Sequence, residues 1–132
     1  HAPVLRDEVA AIGFCFGGGT VLELARSGAD VDAVVSFHGD LMSPTLAEDS
    51  DRITASVLVL HGADDPYVPQ EHVREFIGVM QDTEVDWQLI QYGNTVHSFT
   101  DPNADAKGKA DYHPASARRA FAAAEQLFSS LW

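Results

Sequence analysis

Gly13-Phe14-Cys15-Phe16-Gly17-Gly18 follows the apolar run Val9 to Ile12 and leads into Thr20 to Arg26, a segment with helical spacing. The order strand, sharp turn, helix is that of a nucleophile elbow, in which a strained turn lifts a reactive side chain above the end of a parallel strand. Cys15 holds the nucleophile position, with Gly13 and Gly17 two residues to either side. Glycine suits such a turn because the backbone angles are unusual and the helix must approach the strand closely. A free cysteine is often only a small buried hydrophobe, so the rest of the chain must supply partners for it.

Working outward, three more strands are expected. Val31 to Phe37 is rich in β-branched residues and ends at His38-Gly39-Asp40, and Val57 to Leu60 runs into the turn formers His61-Gly62-Ala63-Asp64-Asp65-Pro66. Apolar runs of this length, the first interrupted only by Asp32 and Ser36, suit strands buried on both faces of a parallel sheet. Val85, Trp87 and Leu89 alternate with polar residues, the period of a half-exposed strand near an edge. Between them, Val21, Leu22, Leu24 and Ala25 are spaced as a helix closed by Gly28, and Val73, Phe76, Ile77 and Met80 form a one-sided helical stripe. Leu41 to Ile53 reads as a surface connection with one irregular helical turn, and a terminal helix is predicted from Pro114. The alternation predicts an α/β fold: a four-stranded, mostly parallel sheet flanked by helices, in a single domain over residues 1–132.

The 132 residues, 45% of them hydrophobic, are enough for one modest core. A net charge of −12 argues against nucleic-acid binding, which needs a basic footprint. One cysteine makes no internal disulfide, and no stretch approaches the roughly 18 to 20 apolar residues that span a bilayer. The expectation is a cytoplasmic protein without membrane or nucleic-acid partners. Six histidines are present, yet none falls in a recognised ligand spacing, so neither a metal nor another cofactor is expected.

Ligands of parallel sheets bind beyond the carboxyl ends of the strands, and Cys15, Asp65 and His97 each follow a predicted strand. They occur in the order nucleophile, acid, histidine. His97 would take the thiol proton, Asp65 would hold the imidazole tautomer, and the thiolate would attack a carbonyl. Asp64 competes with Asp65 for the acid role. The backbone N–H of Phe16, next to the nucleophile at a helix start, would be one oxyanion-hole donor. His38 is a candidate substrate contact. His61 is expected to pack or bond to its turn, while His72 and His113 carry no role.

Gly-Phe-Cys-Phe-Gly-Gly, His-Gly-Ala-Asp-Asp-Pro-Tyr-Val-Pro and Val-His-Ser-Phe-Thr together resemble the dienelactone hydrolase family, the cysteine branch of the α/β-hydrolases. The resemblance covers Val9 to Trp132 and implies Cys15, Asp65 and His97 as the triad of a small-molecule ester or lactone hydrolase working through an acyl-cysteine. It places the acid at the fourth position of Gly62-Ala63-Asp64-Asp65, hence Asp65. It also implies that this sequence corresponds to strands 5 to 8 of the full fold. The earlier strands, a second oxyanion donor and substrate-binding charges would belong to a preceding half.

The chain is therefore expected to be the C-terminal half of a longer hydrolase, or a half-domain completed through the unpaired apolar edge of its first strand, by self-association or by pairing with the missing half. A catalytically incomplete binding or interaction module is the alternative function. No papain-type signature surrounds Cys15, which argues against a thiol peptidase.

Overall fold

The computed structural model describes residues 8–132; the first seven residues of the predicted domain lie outside the described residues. Its main sheet contains β1 (Ala10–Phe14), β2 (Ala33–Phe37), β3 (Ser56–Gly62) and β4 (Trp87–Tyr92), in the order β1-β2-β3-β4. All three pairings are parallel, in the register Ala10–Ala33–Ser56 and Val57–Trp87. β2 and almost all of β3 are buried, as their predominantly apolar content, broken by Ser36 in β2, suits strands covered on both faces. β4 lies at one edge with a partly exposed pattern, and β1 lies at the other.

Successive side chains point to opposite faces, and each face has its own core. Val34, Val57 and Val59 face α1 (Phe16–Arg26), α2 (Leu46–Ser50) and α3 (Gln70–Gln81) through Leu22, Leu46, Val73, Phe76 and Met80. Val35, Phe37, Leu58 and Leu60 face α4 (Pro114–Leu131) through Ala120, Ala124 and Leu127. Two helical layers thus sandwich the sheet and leave its carboxyl ends open as a rim.

Three local features differ from the sequence reading. α1 begins at Phe16, directly after Cys15, so Gly17 to Gly19 are helical; the missing side chain of Gly18 lets the helix start against the sheet. β3 runs two residues beyond Leu60, through His61 and Gly62, which pair with Gln91 and Tyr92. The polar stretch after His97 holds a small antiparallel hairpin, β5 (Asp105–Ala106) with β6 (Ala110–Asp111). His97 is tied to it, its N–H donating to Lys109 and its carbonyl accepting from Asp111.

Candidate active site

Each of the four parallel strands delivers one titratable residue to the same rim: Cys15 after β1, His38 after β2, Asp65 after β3 and His97 after β4. Cys15 is the residue before α1, with φ 54° and ψ −118°, a conformation that a side chain rarely adopts and that the surroundings must hold. Its N–H donates to Phe37 O at 3.0 Å, and its carbonyl accepts from Gly18 N at 2.9 Å. A Cβ on Gly13 would lie 2.0 Å from Gly17 O, so the elbow closes only over glycine. Gly17 itself has open space where a Cβ would go; close approach to the sheet occurs instead at Gly18, whose Cβ would lie 2.9 Å from Gly39 Cα.

Asp65 has a side chain without solvent exposure. One carboxylate oxygen accepts from the backbone N–H groups of Tyr67 and Val68 at 2.8 and 3.1 Å, and the other meets His97 Nδ1 at 2.8 Å. Burial pushes this carboxyl up, but the His97 hydrogen bond and charge, with the two N–H donors, bring it below the ordinary aspartate value. It is an anion at neutral pH. Fixing Nδ1 as the donor leaves His97 Nε2 as the nitrogen free for chemistry. Asp64, the competing acid, is exposed.

The sulfur of Cys15 is less simply placed. Its hydrogen-bond partners among the described residues are His38 Nδ1 at 3.3 Å and Ser98 Oγ at 3.1 Å. Ligand atoms of Cys15, His38 and His97 all lie within 4.8 Å of one another, and this is the group of residues able to hold a metal ion among those described. His38 is 1% exposed, and its Nε2 meets Thr100 Oγ1 at 2.8 Å. Burial and then the neighbouring His97 hold its pKa down to about 4, so the ring is neutral at pH 7.

In front of these groups is a cleft of about 320 Å³ lined by Cys15, Phe16, Asp40, Met42, Tyr67, Val68, His72 and His97. Tyr67 stacks edge-on against His97, with centroids 5.1 Å apart. Phe16 is 89% exposed, and as the first residue of α1 its N–H has no acceptor within the helix. No acidic residue occupies the first turn of α1, so the positive end of its dipole faces the cysteine unopposed by its own side chains.

The structure therefore brings Cys15, Phe16, Asp65 and His97 together. It places His38 behind the sulfur, outside the residues lining the cleft. His61 is buried and bonds to Val68 O at 3.1 Å, bracing the Asp65 turn. His113 accepts from Ser116 N and caps α4. Sequence reasoning missed Ser98 and Thr100. Their signal was adjacency: they flank Phe99, fully buried, which anchors the His97 loop so that its neighbours face inward.

A parallel sheet with an elbow after β1 and acid and histidine loops after β3 and β4 defines an α/β-hydrolase fold. A family model described as the dienelactone hydrolase family matches residues 1–131, and this chain belongs to that family. It is 49% identical to a dienelactone hydrolase-like promiscuous phosphotriesterase from metagenomic libraries, with a TM-score of 0.88 over 97% of this chain and 54% of that one. It is 35% identical over 105 residues to an uncharacterized Caenorhabditis elegans protein, covering 75% of this chain and 63% of that protein. A third relative, a Bradyrhizobium protein named "Probable 2-oxo-3-(5-oxofuran-2-ylidene)propanoate lactonase", is 29% identical, with 92% of this chain and 50% of that protein covered. The chain thus spans about half to two thirds of the length of these relatives. No described helix is long and apolar enough to cross a membrane.

Proposed function

We propose that this chain carries the reacting groups of an ester or lactone hydrolase, with Cys15 as nucleophile, His97 as proton carrier and Asp65 as its orienting anion. The 2.8 Å Asp65–His97 contact carries the reading, because it fixes the tautomer that leaves Nε2 to serve a thiol on the same rim. His97 removes the thiol proton, and the sulfur attacks the carbonyl carbon. The oxyanion is met by the Phe16 N–H at the start of α1. As the carbon–oxygen bond breaks, His97 returns the proton to the leaving oxygen. Water, deprotonated by the same imidazole, then cleaves the thioester and regenerates the thiol. The lactonase name of the Bradyrhizobium relative supports a cyclic ester among the substrates.

The test is hydrolysis of a short activated aryl ester by the chain beside Cys15→Ala and Asp65→Asn. Turnover should vanish with Cys15 and fall by about 10³- to 10⁴-fold in Asp65→Asn. Equal rates in all three proteins would dismiss the triad.

A second reading is favoured by the exposed edge of β1, where Ile12 and Phe14 are 47% and 43% exposed. In it the chain is a C-terminal half-domain whose site is completed, second oxyanion donor included, by a segment that pairs with β1. Losing one such donor costs about 10²- to 10³-fold, so the isolated half is then slow. Turnover per chain that rises with chain concentration supports this reading; constant turnover by a sedimenting monomer opposes it.

A further inference from the structure

We propose that Cys15, His38 and His97 form a binding site for a single soft divalent cation of the zinc class. Three observations converge on it. The sulfur and His38 Nδ1 are 3.3 Å apart, close to the separation of about 3.5 Å between two ligand atoms of a tetrahedral site with metal–sulfur and metal–nitrogen distances of about 2.3 and 2.0 Å. The His97 ligand atom is within 4.8 Å of both, so a small rotation of the Cys15 or His97 side chain closes the triangle.

Both imidazoles, moreover, already have the outer partners that metal-bound histidines use. His97 Nδ1 is held by the Asp65 carboxylate at 2.8 Å, which leaves Nε2 as the free ring nitrogen. His38 Nε2 is held by Thr100 Oγ1 at 2.8 Å, and with that N–H donating, Nδ1 keeps its lone pair. The two rings lie 5.6 Å apart and nearly edge to face, so their lone pairs can converge without the rings colliding.

One thiolate and two imidazoles suit zinc and its congeners rather than magnesium or calcium. The fourth position opens to the cleft, where a water molecule completes the tetrahedron. Binding forms a sulfur–metal bond and releases the thiol proton to solvent. The charged groups facing the site are Asp65 and, farther out, Asp101 and Asp40, so the surroundings favour a cation. The ion would occupy the proposed nucleophile, making it an inhibitor and not a helper of hydrolysis. Binding itself does not depend on the hydrolytic reading, and its test reads no turnover.

The chain, freed of metal with a chelator, is titrated calorimetrically with Zn²⁺ and spectroscopically with Co²⁺. One ion per chain, a thiolate-to-cobalt charge-transfer band and release of one proton are expected. Cys15→Ser, His38→Gln and His97→Gln should each weaken zinc binding by about 100-fold or more, and Thr100→Val by about 10-fold, the scale of an outer partner. His113→Asn, altered at the α4 cap, should bind as the parent does. Independently, Zn²⁺ should protect Cys15 of the unaltered chain from iodoacetamide, reversibly with chelator, which keeps the test valid if His38→Gln does not fold. No charge-transfer band, no protection of Cys15, or unchanged affinity in a folded His38→Gln would overturn the site.

Discussion

His38 shows how one residue ties site geometry to stability. Its ring is packed between Cys15, Thr100 and Phe99, edge-on to the last at 5.0 Å, and it is almost wholly buried. Burial depresses the folded pKa from 6.5 to about 4, whereas the unfolded chain titrates near the ordinary value. Below pH 6.5 the unfolded state binds the proton that the folded state refuses, so stability is present at neutral pH and lost as pH falls from 6.5 toward 4. At 1.36 kcal/mol per unit, His38 alone contributes about 3 kcal/mol to that loss. His61, also buried and lowered, acts in the same direction. Asp65 is lowered as a carboxyl, so its contribution is lost only at lower pH, beneath the ordinary aspartate range. Urea denaturation at pH 7, 5.5 and 4.5 should show a progressive loss that is reduced in His38→Gln; a parallel fall in both proteins would mean that His38 is not the source.

At the scale of elements, the elbow is built from a strand and a helix that nearly touch, and its two bracketing glycines are not equivalent. Gly13 faces the carbonyl of Gly17 across the turn, a backbone group that cannot swing aside. Gly17 faces open space within α1. Gly13→Ala should therefore cost at least about 1–3 kcal/mol through overpacking, whereas Gly17→Ala should stabilise by about 0.5–1 kcal/mol through helix propensity. Denaturant midpoints measure both, and equal destabilisation by the two would contradict the assigned packing. The symmetry of Gly13 and Gly17 about Cys15 suggests equal duties; only the helix axis reveals that the close approach has moved to Gly18. Likewise, the alternation of Trp87 and Leu89 correctly marks an edge strand, but β4 continues to Tyr92 because Gln91 and Tyr92 pair with His61 and Gly62. Pairing partners lie outside any local window of sequence.

At the scale of the whole molecule, one edge of the sheet is open among the described residues. Ile12 and Phe14 on β1, with Phe37, Phe121 and Phe128, surround an apolar depression of about 380 Å³ at the sheet edge. Phe14 stacks on Phe37 at 4.5 Å, and Phe121 sits 5.1 Å from Phe37, so aromatic surface continues from the strand to α4. An unpaired edge beside apolar side chains is a template for association. Light scattering should show the apparent mass rising with concentration, and Ile12→Lys with Phe14→Lys should suppress the rise. A monomer at every concentration would remove self-pairing through β1 as the route by which the site is completed.

The alternation of buried strands with one-sided helices, and the order Cys15, Asp65, His97 behind three strand ends, were present in the sequence because hydrophobic period and turn chemistry are local properties. They suffice for the α/β class and for the residues gathered on the rim. The direction of the Cys15 sulfur, its contacts with His38 and Ser98, the burial that keeps His38 neutral and the convergence of one thiol with two imidazoles were not. Those depend on β1 and β2 ending at the same level, on β4 running two residues past them and on Phe99 pinning the loop that follows β4. Distances between side chains from separate strands are set by register and packing, which become fixed only when the whole sheet is assembled.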